Sequence, residues 1–146
     1  MMDEKTITEA VLRYFRRYWC DYGCMWHPEP TSRRRRRPDL LFLQTRSNLL
    51  HIIEAEPTLS RAFDKRHGFA QLKKYKGNYK WLAIPKQEWK INEEDDLEKG
   101  CKSNGIGLLT VSGTARFHVT EEVQPRYIEG YFLEYYPDAE YEWYEE

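Results

Sequence analysis

The chain has little of what several protein classes require. Its 146 residues include three cysteines, Cys20, Cys24 and Cys101, too few and too irregularly spaced for a disulfide framework. Cys20, Cys24 and His27 are spaced loosely like zinc ligands, with Cys101 or His118 needed to complete a set, but without a paired Cys-x-x-Cys the spacing argues against structural zinc. No apolar run approaches the roughly 18 residues that a membrane span needs. The charged start Asp3-Glu4-Lys5 is unlike a signal peptide, so the expectation is a cytoplasmic protein with no membrane partner. His51 and His67 have no recognisable Ser or Cys nucleophile beside them, which leaves triad chemistry unsupported. The 40% hydrophobic and 15% aromatic content is that of a globular chain with a real core, not a disordered one.

Net charge is also nearly absent, at −1, but the small total hides a polarised chain. Residues 1–120 carry 22 Lys and Arg against 15 Asp and Glu, a balance of +7. Residues 121–146 carry one arginine, Arg126, against nine acids, a balance of −8. The first part suits a polyanion and the second repels one. The expected organisation is a domain over 1–120 and an acidic, aromatic extension over 121–146 on or attached to it.

The hydrophobic pattern predicts the order αβββαβαβ. Thr6 is the expected cap of a first helix, in a capping box with Glu9, and Ile7, Val11, Tyr14 and Tyr18 form its apolar stripe. Residues 22–26 read as an edge or first strand, followed by a Pro- and Arg-rich loop over 27–37. Two apolar runs, 38–44 and 49–56, flank the turn-prone Thr45-Arg46-Ser47-Asn48 and read as a β-hairpin. A turn centred between Arg46 and Ser47 opposes Leu43 to Leu50, Leu41 to Ile52 and Asp39 to Glu54, with Glu56 on the same face. Opposed like charges weaken a sheet by up to about 1 kcal/mol, and a hard divalent cation such as Mg²⁺ or Mn²⁺ reverses that sign. Both hairpin faces are apolar, as in strands covered by helices on each side.

Thr58 or Ser60 is expected to begin a second helix running to about Lys76, with Gly77-Asn78 as its stop. A strand over 79–84 ends at Pro85. Asn92 caps an acidic-to-basic helix that stops near Gly105, as the helix dipole favours. A strand over 106–111 follows, and 116–119 pairs with it across Ser112-Gly113. These elements make an α/β sandwich around a mixed sheet.

Pro38-Asp39, Ile52-Ile53-Glu54-Ala55-Glu56, the helix bearing Gln71 and Tyr75, and the strands at 79–84 and 106–111 together resemble the PD-(D/E)xK nuclease superfamily, over roughly residues 6–111. The resemblance implies a restriction-endonuclease-like αβββαβ sandwich with additional C-terminal elements. It also implies metal ligands at Asp39 and Glu54, and hydrolysis of phosphodiester bonds, with DNA as the first-choice substrate. The family's third position is usually lysine; here it is Glu56, as in some restriction endonucleases. Gln71 and Tyr75, on one helical face at i, i+4, resemble the QxxxY element of one branch.

The residue types carry the same chemistry. A carboxylate-bound Mg²⁺ or Mn²⁺ activates water and stabilises phosphoryl charge. Glu56 is then a third ligand or the base that orients the water. Lys73 or Lys74 could stand in for the missing lysine, although only one of them can face the site. Glu9 is the alternative extra acid on the first helix, with capping as its simpler role. Arg33, Arg34, Arg35, Arg36 and Arg37 run straight into Asp39 and are expected to contact phosphate. Arg61, Lys65, Arg66, Lys73, Lys74 and Lys76 form a second basic segment, with Arg61, Lys65, Arg66 and Tyr75 as further candidates for nucleic-acid contact. Half of that basic segment is equally an exposed helix face. Residues 129–146 alternate aromatics and acids and are expected to pack as an extra strand or short helix, with homodimerisation or autoinhibition across the basic groove as alternatives. A catalytically inactive fold that binds nucleic acid, or acts as an interaction module, remains the alternative function that Glu56 allows.

Overall fold

A computed structural model describes residues 2–21, 23–28, 38–58, 69–91, 94–136 and 142–145. Helix α1, Glu4–Tyr18, precedes β1, Gly23–Pro28, and the hairpin of β2, Leu40–Gln44, and β3, Leu49–Ala55. Helix α2, Phe69–Lys74, leads to β4, Tyr79–Pro85, and two helices follow, α3, Lys86–Ile91, and α4, Glu94–Asn104. Then come β5, Gly107–Ser112, β6, His118–Val123, a 3-10 turn at Leu133–Tyr135 and β7, Glu142–Glu145. The strands form one sheet in the order β6-β5-β4-β3-β2-β1-β7. Strands β3, β4 and β5 are mutually parallel and the other pairings antiparallel, so the sheet is mixed and the class α/β. None of the described helices is long and apolar enough to cross a membrane.

Alternation along the strands divides the core into two layers. Leu41, Leu43, Leu50, Ile52, Leu82, Ile84 and Leu108 pack against Phe69, Leu72 and Tyr75 of the α2 segment and Leu97 and Cys101 of α4. Leu40, Phe42, Ile53, Ala55, Trp81, Ala83 and Leu109 pack against Ile7, Ala10, Val11 and Phe15 of α1. Helices thus cover both faces, which is why the central strands read as continuous apolar runs. Cys24 and Cys101 lie in opposite layers, and the three cysteines form no disulfide.

The hairpin register is the expected one: Leu40 pairs with Ile53, Leu41 with Ile52, Phe42 with His51, Leu43 with Leu50 and Gln44 with Leu49. Asn48 closes the turn in the left-handed region at φ 60°, which asparagine tolerates. The connection between β5 and β6 turns at Gly113, φ 113°, where an added Cβ would stand 1.9 Å from the Arg116 carbonyl oxygen.

Several boundaries differ from the sequence expectation. Asp3, not Thr6, caps α1, its Oδ1 accepting the Thr6 N–H at 2.8 Å, so Thr6 and Glu9 lie inside the helix. The buried stripe of α1 uses Phe15, and Tyr18 is exposed. Helix α3 occupies the residues after Pro85, where the predicted order has no element. The second helix is described over Phe69–Lys74; its expected first part, 58–68, and the Asn92 cap lie outside the described residues or at their edge. Residue 120, where the charge balance changes, falls within β6. The extension packs on the same sheet. β7 pairs with β1, and buried Asn78 donates from Nδ2 to the carbonyls of Ile128 and Gly130 while its Oδ1 accepts the Leu50 N–H.

His51 is fully buried between Phe15, Trp19, Tyr79 and Trp81. Its Nδ1 accepts the Trp81 indole N–H at 3.0 Å, which leaves Nε2–H to donate to Gln44 Oε1 at 2.6 Å. Burial pushes its pKa down from 6.5 to about 3. A depressed folded pKa contributes stability that is present above pH 6.5 and lost as pH falls toward 3. Thermal melts from pH 7 to pH 4 should therefore show a steeper loss in the wild type than in His51→Leu. At pH 7 that variant should itself be less stable by about 1–3 kcal/mol, because the Trp81 N–H loses its acceptor.

Candidate functional site

Strand β3 directs Leu50, Ile52 and Glu54 to the α2 face and His51, Ile53 and Ala55 to the α1 face. The register that pairs Leu40 with Ile53 brings Asp39, one residue before β2, beside Glu54. Asp39 is fixed there by its own backbone contact, since Oδ2 accepts the Ala55 N–H at 2.8 Å. Glu54 and Glu56 are 3% and 2% exposed, at the end of a strand buried on both faces. Glu56 is held through its backbone, its N–H donating to the Ala83 carbonyl at 2.9 Å. The Oε1 atom of Glu54 is buried without a hydrogen-bond partner. A carboxylate oxygen in that state is costly unless a proton or a cation comes to it.

The electrostatics agree. Burial first, and then the Glu54 charge, hold the Asp39 carboxyl far above the ordinary carboxylate range. Burial likewise raises Glu54, with Glu56 and Glu4 adding repulsion. Glu4 was not among the sequence candidates. It stands in the first turn of α1 and helps raise the Asp39 pKa, whereas Glu9, the acid that the sequence offers on this helix, is exposed more than a turn later. Its signal in the sequence was the Asp3 cap, which fixes where the helix starts.

Tyr75 follows α2 and is 8% exposed, with its hydroxyl buried. Its pKa is raised first by burial and then by the charges of Glu54 and Asp39, so it stays protonated beside them. Gln71, half-buried, connects to it through the backbone, its carbonyl accepting the Tyr75 N–H at 3.3 Å. The structure therefore brings Tyr75 to Asp39 and Glu54, whereas Lys73 and Lys74 are both exposed. Arg33, Arg34, Arg35, Arg36, Arg37, Arg61, Lys65 and Arg66 lie outside the described residues.

Whether this set suits a divalent cation is a question of donors and demand. Among the described residues, no three His, Cys, Asp or Glu side chains already form a cage for a metal ion. The donors are nevertheless all hard carboxylate oxygens, one of them buried with no hydrogen bond. Mg²⁺ is commonly held by one or two carboxylates with water and substrate phosphate completing its shell, and the Asp39–Glu54 pair fits that mode. Comparisons of the chain with protein-family models, curated proteins and solved structures found no match.

A raised folded pKa contributes stability that is complete below the unfolded carboxylate pKa, about 4, and is lost as pH rises above it. Replacing Glu54 by Gln should consequently stabilise the metal-free protein by about 1–3 kcal/mol at pH 8 and change little at pH 4. Chemical denaturation at the two pH values in EDTA checks the prediction; equal effects at both would contradict it.

Proposed function

We propose that the chain is a metal-dependent nuclease with a restriction-endonuclease-like domain that hydrolyses phosphodiester bonds in DNA. The observation that carries the reading is the buried cross-strand pair Asp39–Glu54, an arrangement in which burial disfavours both charges and which a proton or a bound cation would neutralise. Asp39 and Glu54 would hold Mg²⁺ or Mn²⁺, with Glu56 as a further oxygen ligand or as the base that orients the attacking water. When bound, such a cation lowers the pKa of water and offsets charge on the phosphoryl oxygens. The protein supplies the rest. The Ala55 N–H holds the Asp39 carboxylate in one orientation, and protonated Tyr75 faces Glu54 as a fixed dipole. The five arginines that end one residue before Pro38 provide the phosphate affinity in this reading.

A second reading, nucleic-acid binding without cleavage, is favoured by one observation. Among the described residues no lysine or arginine is among the groups that shift Asp39 or Glu54, and Lys73 and Lys74 are exposed. The family's usual lysine therefore has no substitute among the described residues.

Cleavage of single-stranded, duplex and junction DNA with Mg²⁺ or Mn²⁺ distinguishes the two. Asp39→Ala and Glu54→Ala should each reduce the rate by at least about 100-fold while leaving DNA binding measurable. Cleavage unaffected by both substitutions sinks the assignment. Salt-sensitive binding by a wild type that stays inert with either metal selects the second reading.

A further inference from the structure

An open groove of about 700 Å³ runs along the carboxyl ends of the parallel strands β3, β4 and β5. Crevices outside the carboxyl ends of such strands are where α/β sheets commonly take ligands, and the volume is in the range that holds a small organic molecule. The groove borders the carboxylate site in sequence, although none of Glu4, Asp39, Glu54 and Glu56 lines it. Pro57, on its wall, directly follows Glu56, and Thr6 lies two residues beyond Glu4. Glu54 points to the α2 side of the sheet, while Val111 and Phe117 of the groove belong to the α1 side. A strand lying over the carboxyl edge of β3 would therefore meet both.

The lining selects one kind of chemistry. Met2, Pro57, Pro85 and Phe117 offer flat apolar surface, and Gln87, Ser112 and Thr114 offer neutral donors and acceptors. No lysine or arginine lines the groove among the described residues, and its single charged side chain is Glu88. Phosphate backbones are bound through cations, so the groove is unsuited to a phosphate and would repel one. The uncharged part of a nucleotide is different. Unpaired bases stack on aromatic and apolar side chains and bond through edges that a duplex hides.

We infer that this groove receives an unpaired nucleobase adjoining the phosphate that a cation at Asp39 and Glu54 would hold, which makes the substrate a single strand or a frayed end. The neighbouring phosphate rests on the nuclease reading; the base site itself does not. Two measurements free of cleavage test it. The first titrates uncharged nucleosides, thymidine and deoxyadenosine, into the metal-free protein while following the Met2 methyl and Phe117 ring signals by NMR. The second compares binding of a short single strand and a duplex by fluorescence anisotropy, for the wild type and for Thr114→Trp and Gln87→Ala, both at exposed positions.

The nucleosides should shift Met2 and Phe117, and Thr114→Trp should weaken both nucleoside and single-strand binding by about 10-fold while leaving duplex binding unchanged. Gln87→Ala should weaken the nucleosides alone in the same direction. Absence of shifts up to about 10 mM nucleoside overturns the inference, as does an equal loss of single-strand and duplex binding in Thr114→Trp. Nucleoside binding that persists in a protein unable to cut DNA supports the groove and removes the nuclease reading. Cutting that depends on Asp39 without nucleoside binding does the reverse.

Discussion

A one-residue slip between β2 and β3 would turn every side chain of one strand to the other face of the sheet, and the structure depends on preventing it. Hydrophobic patterning alone gives weak protection here, because both faces of the hairpin are apolar and a slipped pairing would still bury leucines and isoleucines. The polar groups supply the missing specificity. Opposite Phe42, the His51 ring bonds to Gln44 and to the Trp81 indole, and a slip would leave the imidazole and the indole N–H without partners. At the turn, Asp21 accepts from the Ser47 N–H at 2.7 Å and from its hydroxyl at 2.5 Å, fixing where the hairpin reverses. At the other end Asp39 accepts from Ala55. Three polar contacts along one hairpin thus determine which face carries the carboxylates.

The same register sets two opposing dependences on pH. His51 is neutral where it lies, and only acid threatens it. The carboxylates are the reverse, since burial favours their protonated forms and holding those protons at neutral pH costs folding free energy. A metal-free chain is therefore relieved at one cluster by the protons that strain it at the other. The asymmetry is informative. The His51 network is fully satisfied and explains itself as structure, whereas the Asp39–Glu54 pair gains one register-fixing bond from Ala55 and leaves Glu54 Oε1 buried without a hydrogen bond. Such local conflicts between a residue and its surroundings are expected where a site acts on something outside the chain.

How much was legible in the sequence follows from what each feature depends on. The hairpin, its register and the Asp39–Glu54 pairing depend on local spacing and turn chemistry, and they were readable residue by residue. The strand at 79–84 and the turn at Gly113 were similarly local. Glu4 was hidden because its role depends on where α1 begins and how that helix crosses the sheet; assigning the cap to Thr6 moved the helix start past it. Helical spacing puts Tyr18 in line with Ile7, Val11 and Tyr14, whereas the packed face includes Ala10 and Phe15 and leaves Tyr18 exposed. β7 joins the sheet beside β1, more than a hundred residues away, and no local pattern announces a partner at that distance.

The position that separates this chain from its resemblance, Glu56, changes the electrostatic problem itself. A lysine there would place an internal cation near Asp39 and Glu54 and relieve part of their repulsion before any metal arrived. With glutamate the cluster gathers four acids, Glu4, Asp39, Glu54 and Glu56, and burial raises the energy of charge on the central two. Under the nuclease reading, substitution of glutamate for lysine strengthens the demand for a divalent ion and moves the task of orienting water from an ammonium donor to a carboxylate acceptor. A carboxylate can perform that task only while it is ionised.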